Sequence, residues 1–211
     1  SVFMYNKWRK NKTEESPMAK KSNRNTRGRI VSAAWKLFYE QGYEDTTVEE
    51  IIELSGTSKG SFYHYFDGKD ALLSTLSSLF DEKYEELTGL LTPEMTAMEQ
   101  LLFLNRELFH MIEDSISLDL LARLYSTQRT TNGEKHLLDH NRIYYKLLRK
   151  IIAKGQAEGQ LSSRSNVNEM VKLYALCERA LLYDWCLCAG EYALTEYSAK
   201  VLPGFLSSFL P

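Results

Sequence analysis

Residues 47–65 read as two helices of about two turns each, split by only three residues, Ser55-Gly56-Thr57. Thr47-Val48-Glu49-Glu50 is a capping box: the threonine hydroxyl accepts from the amide three residues on, and the Glu50 carboxylate returns the bond. Ser58 is placed to cap the second helix, which runs through Tyr65. This is the layout of a helix-turn-helix, whose second helix can enter a DNA major groove. In isolation a surface helical hairpin with a polar cap is the better reading of these residues. The second helix, Lys59-Gly60-Ser61-Phe62-Tyr63-His64-Tyr65, carries small residues, a cation and hydrogen-bonding aromatics near its N-terminal end. Packing alone does not require such a face.

Around this segment nearly everything after Asn25 reads as helix, with apolar residues at three- and four-residue spacing and no sustained two-residue alternation. A first helix is expected over residues 26–41, burying Ile30, Ala34, Leu37 and Phe38 and stopping at Gly42. Asp67-Gly68-Lys69-Asp70 offers a cap and a first-turn acid for a long helix to about residue 91. Further helices are expected at about 95–113, 118–127, 134–154, 167–189 and 195–210, with Asn166 and Glu169 capping the fourth of these. The reading is an all-α fold of about nine helices: a basic leader over 1–24, a three-helix N-terminal domain over 25–72 and a larger helical domain over 73–211.

Composition restricts the partners. At 211 residues and 44% hydrophobic, the chain can bury a core. A net charge of -2 gives no global sign of nucleic-acid binding, but the charge is uneven. Residues 1–29 hold nine lysines and arginines against Glu14 and Glu15 alone, a basic arm on an acidic body. Cys177, Cys186 and Cys188 have neither metal-chelating nor stapling spacing, which suits a reducing, cytoplasmic setting. The most apolar late stretch, 173–189, is interrupted by Glu178, Arg179 and Asp184, so neither a signal peptide nor a membrane span is expected. Residues 1–17 read as a leader, with Met18 a candidate start.

Three runs then carry a family resemblance: Thr46-Thr47-Val48-Glu49-Glu50-Ile51-Ile52; Ser55-Gly56-Thr57-Ser58-Lys59-Gly60-Ser61-Phe62-Tyr63-His64-Tyr65-Phe66; and Lys69-Asp70-Ala71-Leu72-Leu73. With Thr26-Arg27, Ile30, Ala33-Ala34, Leu37-Phe38 and Gly42-Tyr43 before them, they resemble the DNA-binding signature of the tetracycline-repressor (TetR) family over about residues 25–76. Thr57 departs from the pattern where an apolar residue is common, as do Ile52 and Leu54 where alanines are frequent.

The resemblance implies that Lys59, Ser61, Tyr63 and His64 face base edges or phosphates. Ser58 would open their helix, and Gly60 would let it approach the DNA backbone. Thr47 and Lys69 would bind phosphate at helix N-termini, and Arg24, Arg27 and Lys21 would add contacts from the arm. Phe62, Tyr65 and Phe66 would seat the helix. It further implies a homodimer joined through the last two long helices, a palindromic double-stranded operator and an unknown small-molecule effector, with repression as the outcome. Effector binding is expected to shift the middle helices, swing helix 67–91 and change the spacing of the two recognition helices.

Phe103, Tyr125, Tyr144, Tyr174, Glu178 and Trp185 are the candidate effector contacts, and for each aromatic taken singly the core reading comes first. Arg123, Glu178, Arg179 and Asp184 read as ligand-orienting charges or, more simply, an interhelical ion pair. His136 and His140 stand four apart on an expected helix, but no third metal ligand accompanies them, and a solvated face is the simpler reading. No nucleophile elbow, glycine-rich phosphate loop or metal cluster is present in the sequence, so neither catalysis, a metal nor a cofactor is expected.

Overall fold

A computed structural model describes the backbone of residues 18–130 and 136–211, with side chains for 26–128 and 136–211. In chain order the α-helices are α1 (Met18–Glu40), α2 (Val48–Ser55), α3 (Lys59–Tyr65), α4 (Lys69–Leu73), α5 (Thr75–Thr88), α6 (Ala97–Ser115), α7 (Leu118–Thr130), α8 (Ile143–Ala157), α9 (Val167–Leu187) and α10 (Leu194–Leu206). Short 3-10 turns occupy His136–Leu138 and Ser207–Phe209. The described residues contain no strand, and none of their helices is long and apolar enough to cross a membrane. The chain divides into two compact units, the first ending at Leu76 and the second beginning at Ser77.

In the first unit α1 packs on both α2 and α3. Its buried stripe, Ile30, Ala34 and Phe38, joins Ile51 of α2 and Phe62 of α3 in the core. The helix begins at Met18 rather than near Thr26. Met18-Ala19-Lys20-Lys21 is made of good helix formers and lies just after Pro17, a residue tolerated at helix starts. The long helix expected from residue 67 is two helices, interrupted at Ser74. There the Ser74 and Thr75 hydroxyls donate to the carbonyls of Ala71 (2.6 Å) and Leu72 (2.5 Å), and the Trp35 indole donates to Thr75 Oγ1 at 2.9 Å. These side-chain bonds compete with the helical ladder.

In the second unit α6 packs on α8 and α10, and α9 on α7, α8 and α10. Leu101, Leu104, Leu148, Ile152, Tyr174 and Leu206 are fully buried there. Thr96 and Glu99 form a second capping box, which starts α6 two residues later than expected. Asn166 caps α9 by accepting from the Glu169 amide at 3.0 Å.

The helix expected over 134–154 is corrected in its first half. Asp139 Oδ1 accepts from the Asn141 amide at 2.9 Å, turning the chain, and α8 begins only at Ile143. Arg142, its N-cap residue, extends a guanidinium to both oxygens of Asp81 (3.0 Å each) and to the Ser77 carbonyl (2.9 Å). His136 and His140 therefore share no α-helical face, and the His140 ring packs on Tyr145 at 4.7 Å.

Candidate functional site

The first unit builds a rigid turn. Gly56 takes the left-handed conformation, φ 59°, that ends α2. The last carbonyls of a helix have no intrahelical partner. Arg29 of α1 supplies one: its guanidinium donates to the Ser55 carbonyl at 2.9 Å and to the Gly56 carbonyl at 2.5 Å. The residue counted above with the basic arm thus braces the turn. The two hydroxyls of Ser55 and Thr57 lie 2.7 Å apart, so Thr57 replaces the usual apolar contact by a hydrogen bond.

Lys69 is also committed internally. Its ammonium donates to the carbonyls of Tyr43 (2.6 Å), Thr46 (2.8 Å) and Glu44 (3.2 Å) and lies 4.3 Å from the Tyr43 ring centre. An ammonium has three donors, and here three carbonyls take them. The Tyr43 hydroxyl in turn donates to Asp70. The Lys69 side chain thus closes the loop that leads to α2.

That loop ends at Thr47, whose hydroxyl accepts from the Glu50 amide at 3.2 Å while Glu50 accepts from the Thr47 amide at 2.7 Å. Those bonds hold the Glu50 carboxyl below the usual range. Ser58 caps α3 by accepting from the Ser61 amide at 3.1 Å. Across α3 the two faces differ sharply. Phe62 and Phe66 are buried and Tyr65 half-buried, whereas Lys59, Gly60, Tyr63 and His64 are exposed, Tyr63 by 46%. A Cβ at Gly60 would meet nothing nearer than Ser58 Oγ at 4.0 Å, so this edge of the helix is sterically open. Lys59 pairs loosely with Glu49 at 3.8 Å, both well exposed. Arg27 lies over the Phe66 ring at 5.3 Å. The side chains of Lys21 and Arg24 lie outside the described residues.

In the second unit three of the expected effector contacts meet. Glu178, 4% exposed, accepts from the Tyr144 hydroxyl at 2.6 Å and the Asn105 amide at 2.9 Å. Tyr174 donates beside it to the Leu101 carbonyl at 2.8 Å. Asn105 in turn accepts the Ser198 hydroxyl, so a buried polar ladder joins α10, α6, α9 and α8. Burial pushes the Glu178 carboxyl up, against the pull of its hydrogen bonds.

The other candidates lie apart from this cluster. Tyr125 meets the Tyr183 ring edge-on, Trp185 donates to the Tyr192 carbonyl at 2.9 Å, and Phe103 lies under Arg106. The four charges expected to pair have taken other partners: Arg123 bonds Asp119 along its own helix, Arg179 donates to the Tyr145 hydroxyl, and Asp184 accepts from Tyr192. Asn105 and Ser198 were not anticipated. Asn105 could have been found as a polar residue on the apolar stripe of α6.

Residues 30–76, from α1 through the start of α5, match the family model described as bacterial regulatory proteins, tetR family. This N-terminal unit is a DNA-binding domain of the TetR family. An uncharacterized HTH-type transcriptional regulator of Lactococcus lactis is 39% identical over 56 residues, 26% of this chain and 29% of that protein. The chain covers less than a third of that relative's length. A longer match, 23% identical over 177 residues, covers 82% of this chain and 90% of the fatty acid metabolism regulator protein of Bacillus subtilis. Among solved structures, Thermus thermophilus FadR, a TetR-family repressor in complex with lauroyl-CoA, superposes with a TM-score of 0.71 at 25% identity, covering 88% of this chain and 95% of that one.

Proposed function

We propose that the chain is a cytoplasmic, homodimeric transcriptional repressor that reads a palindromic operator and releases it on binding a small molecule. The observation that carries this reading is the division of α3. One face is locked into the core by Phe62, and the opposite edge presents Lys59, Gly60, Tyr63 and His64. We assign base-edge or phosphate contacts to these four and to Ser61. The helix N-termini at Thr47 and Ser58 offer backbone amides to phosphate, and we assign further phosphate contacts to Arg24 and Arg27.

A single two-turn helix reads too few bases to select a genomic site, so pairing is required. α9 and α10 offer the surface: Leu176, Tyr183 and Leu187 form an exposed apolar stripe on α9, and Tyr197 is exposed on α10. For the effector we assign the Tyr144–Tyr174–Glu178 cluster. Acyl-CoA thioesters are the first class to test, because the Thermus thermophilus relative holds one over a comparable length of chain.

The operator is selected from random duplexes with the full chain and then used in gel shifts. Tyr63→Ala is expected to weaken operator binding about 30-fold or more, since a base contact is worth about 1–3 kcal/mol and a dimer loses two. Unchanged affinity would sink the assignment of the reading edge. Lauroyl-CoA is expected to release the operator at micromolar concentration; release by no acyl-CoA would exclude that effector class while leaving the DNA assignment standing.

A further inference from the structure

We propose that the groove between α6 and α10 binds a neutral, apolar molecule bearing a hydroxyl group, which is held at Asn105 and Ser198. The groove has a volume of about 630 Å³, within the range of small-molecule sites. Its walls include Leu102 and Phe103 of α6 and Ala199 and Pro203 of α10. Between these apolar walls lie Asn105, 3% exposed, and Ser198, 1% exposed. An amide and a hydroxyl buried at such a place are costly unless bonded, and the bonds they make define what they can still accept.

Asn105 gives one amide N–H to Glu178, and its oxygen takes the single proton of the Ser198 hydroxyl. A carboxamide nitrogen has a second N–H, and a serine oxygen has two lone pairs. The groove therefore offers one donor and one acceptor side by side. A ligand hydroxyl matches both, accepting from Asn105 and donating to Ser198. A carboxylate has no proton for Ser198, and it would face the carboxylates of Glu94 and Glu99 at the rim. An ammonium has no lone pair for Asn105. Arg106, the rim cation, is paired with Glu107 at 3.0 Å. The wall residues lie roughly half a turn around α10 from Tyr197 and Gly204. Dimerisation through the Tyr197 face would leave the groove open, and the assignment does not depend on the effector assigned above.

Benzyl alcohol and toluene serve as probes, titrated into the full-length ¹⁵N-labelled chain while the Asn105 side-chain amide is followed by NMR. Benzyl alcohol is expected to shift that resonance saturably and to bind about five-fold or more tightly than toluene, the worth of one hydrogen bond. Ala199→Trp fills the groove from an exposed position and is expected to abolish the shift with helix content unchanged by circular dichroism. Ser198→Ala removes one of the two bonds and is expected to keep toluene binding and lower the advantage of the alcohol. Equal affinity for the two probes, no saturable shift at Asn105, or an alcohol preference left unchanged by Ser198→Ala would overturn the proposal.

Discussion

Phe62→Ala is expected to cost the first unit about 3–5 kcal/mol and to abolish operator binding along with the loss of fold. Phe62 is fully buried, its ring 6.0 Å from that of Phe66 and 5.3 Å from that of Tyr63. Its removal opens a cavity under a helix of only seven residues, which has little intrinsic stability once its packing is gone. Thermal unfolding followed by circular dichroism, paired with gel shifts, separates this from the neighbouring position. Tyr63→Ala should lose operator binding with an unchanged unfolding midpoint, because that side chain is nearly half exposed. An unshifted midpoint for Phe62→Ala would show that the seat of the recognition helix has been misplaced.

Glu178 carries the second large effect. Glu178→Ala leaves the Tyr144 hydroxyl and the Asn105 amide without their acceptor and opens space in a packed core, a combined loss of about 3–5 kcal/mol. Glu178→Gln keeps an acceptor and most of the volume, so its loss is smaller and its pH dependence is the informative quantity. The native carboxyl titrates above the ordinary carboxylate range because burial disfavours its charge. The folded state therefore holds this proton more tightly than the unfolded chain does. The corresponding stability is fully present below the unfolded value and is lost as pH rises through the folded one. Glu178→Gln removes that dependence, so the difference in urea midpoint between native chain and variant should vary with pH across this window. Parallel curves would mean that burial does not govern the titration of Glu178.

What could be read from the sequence was local. The caps at Thr47, Ser58 and Asn166 each involve partners three residues apart, and all three are seen. Thr96 and Glu99 follow the same rule and were equally legible, but Pro93 drew the expected helix start too early. The interruption at Ser74 was not legible, because it is completed by Trp35, 40 positions away. The turn at Asp139 likewise needs Arg142 to reach Asp81 across 61 positions.

The site followed the same division. Helical periodicity separates Phe62 from Tyr63 without any tertiary knowledge. Periodicity cannot tell a cation that meets phosphate from one that meets a carbonyl of its own chain, and Arg29 and Lys69 are of the second kind. Asn105 and Ser198 stand 93 positions apart, so their pairing is visible only in three dimensions.

The two internally committed cations also determine how operator affinity responds to ionic strength. Each lysine or arginine that neutralises a phosphate releases counterions and adds about 0.9 to the slope of log affinity against log salt. Because both are committed to carbonyls of their own chain, we propose that Arg29 and Lys69 stand outside that count, which leaves it to Lys59, Arg27 and the basic arm. Lys59→Ala is therefore expected to flatten the slope by about two in a dimer, one for each half-site. Arg29→Gln should weaken binding equally at every salt concentration and leave the slope where it was.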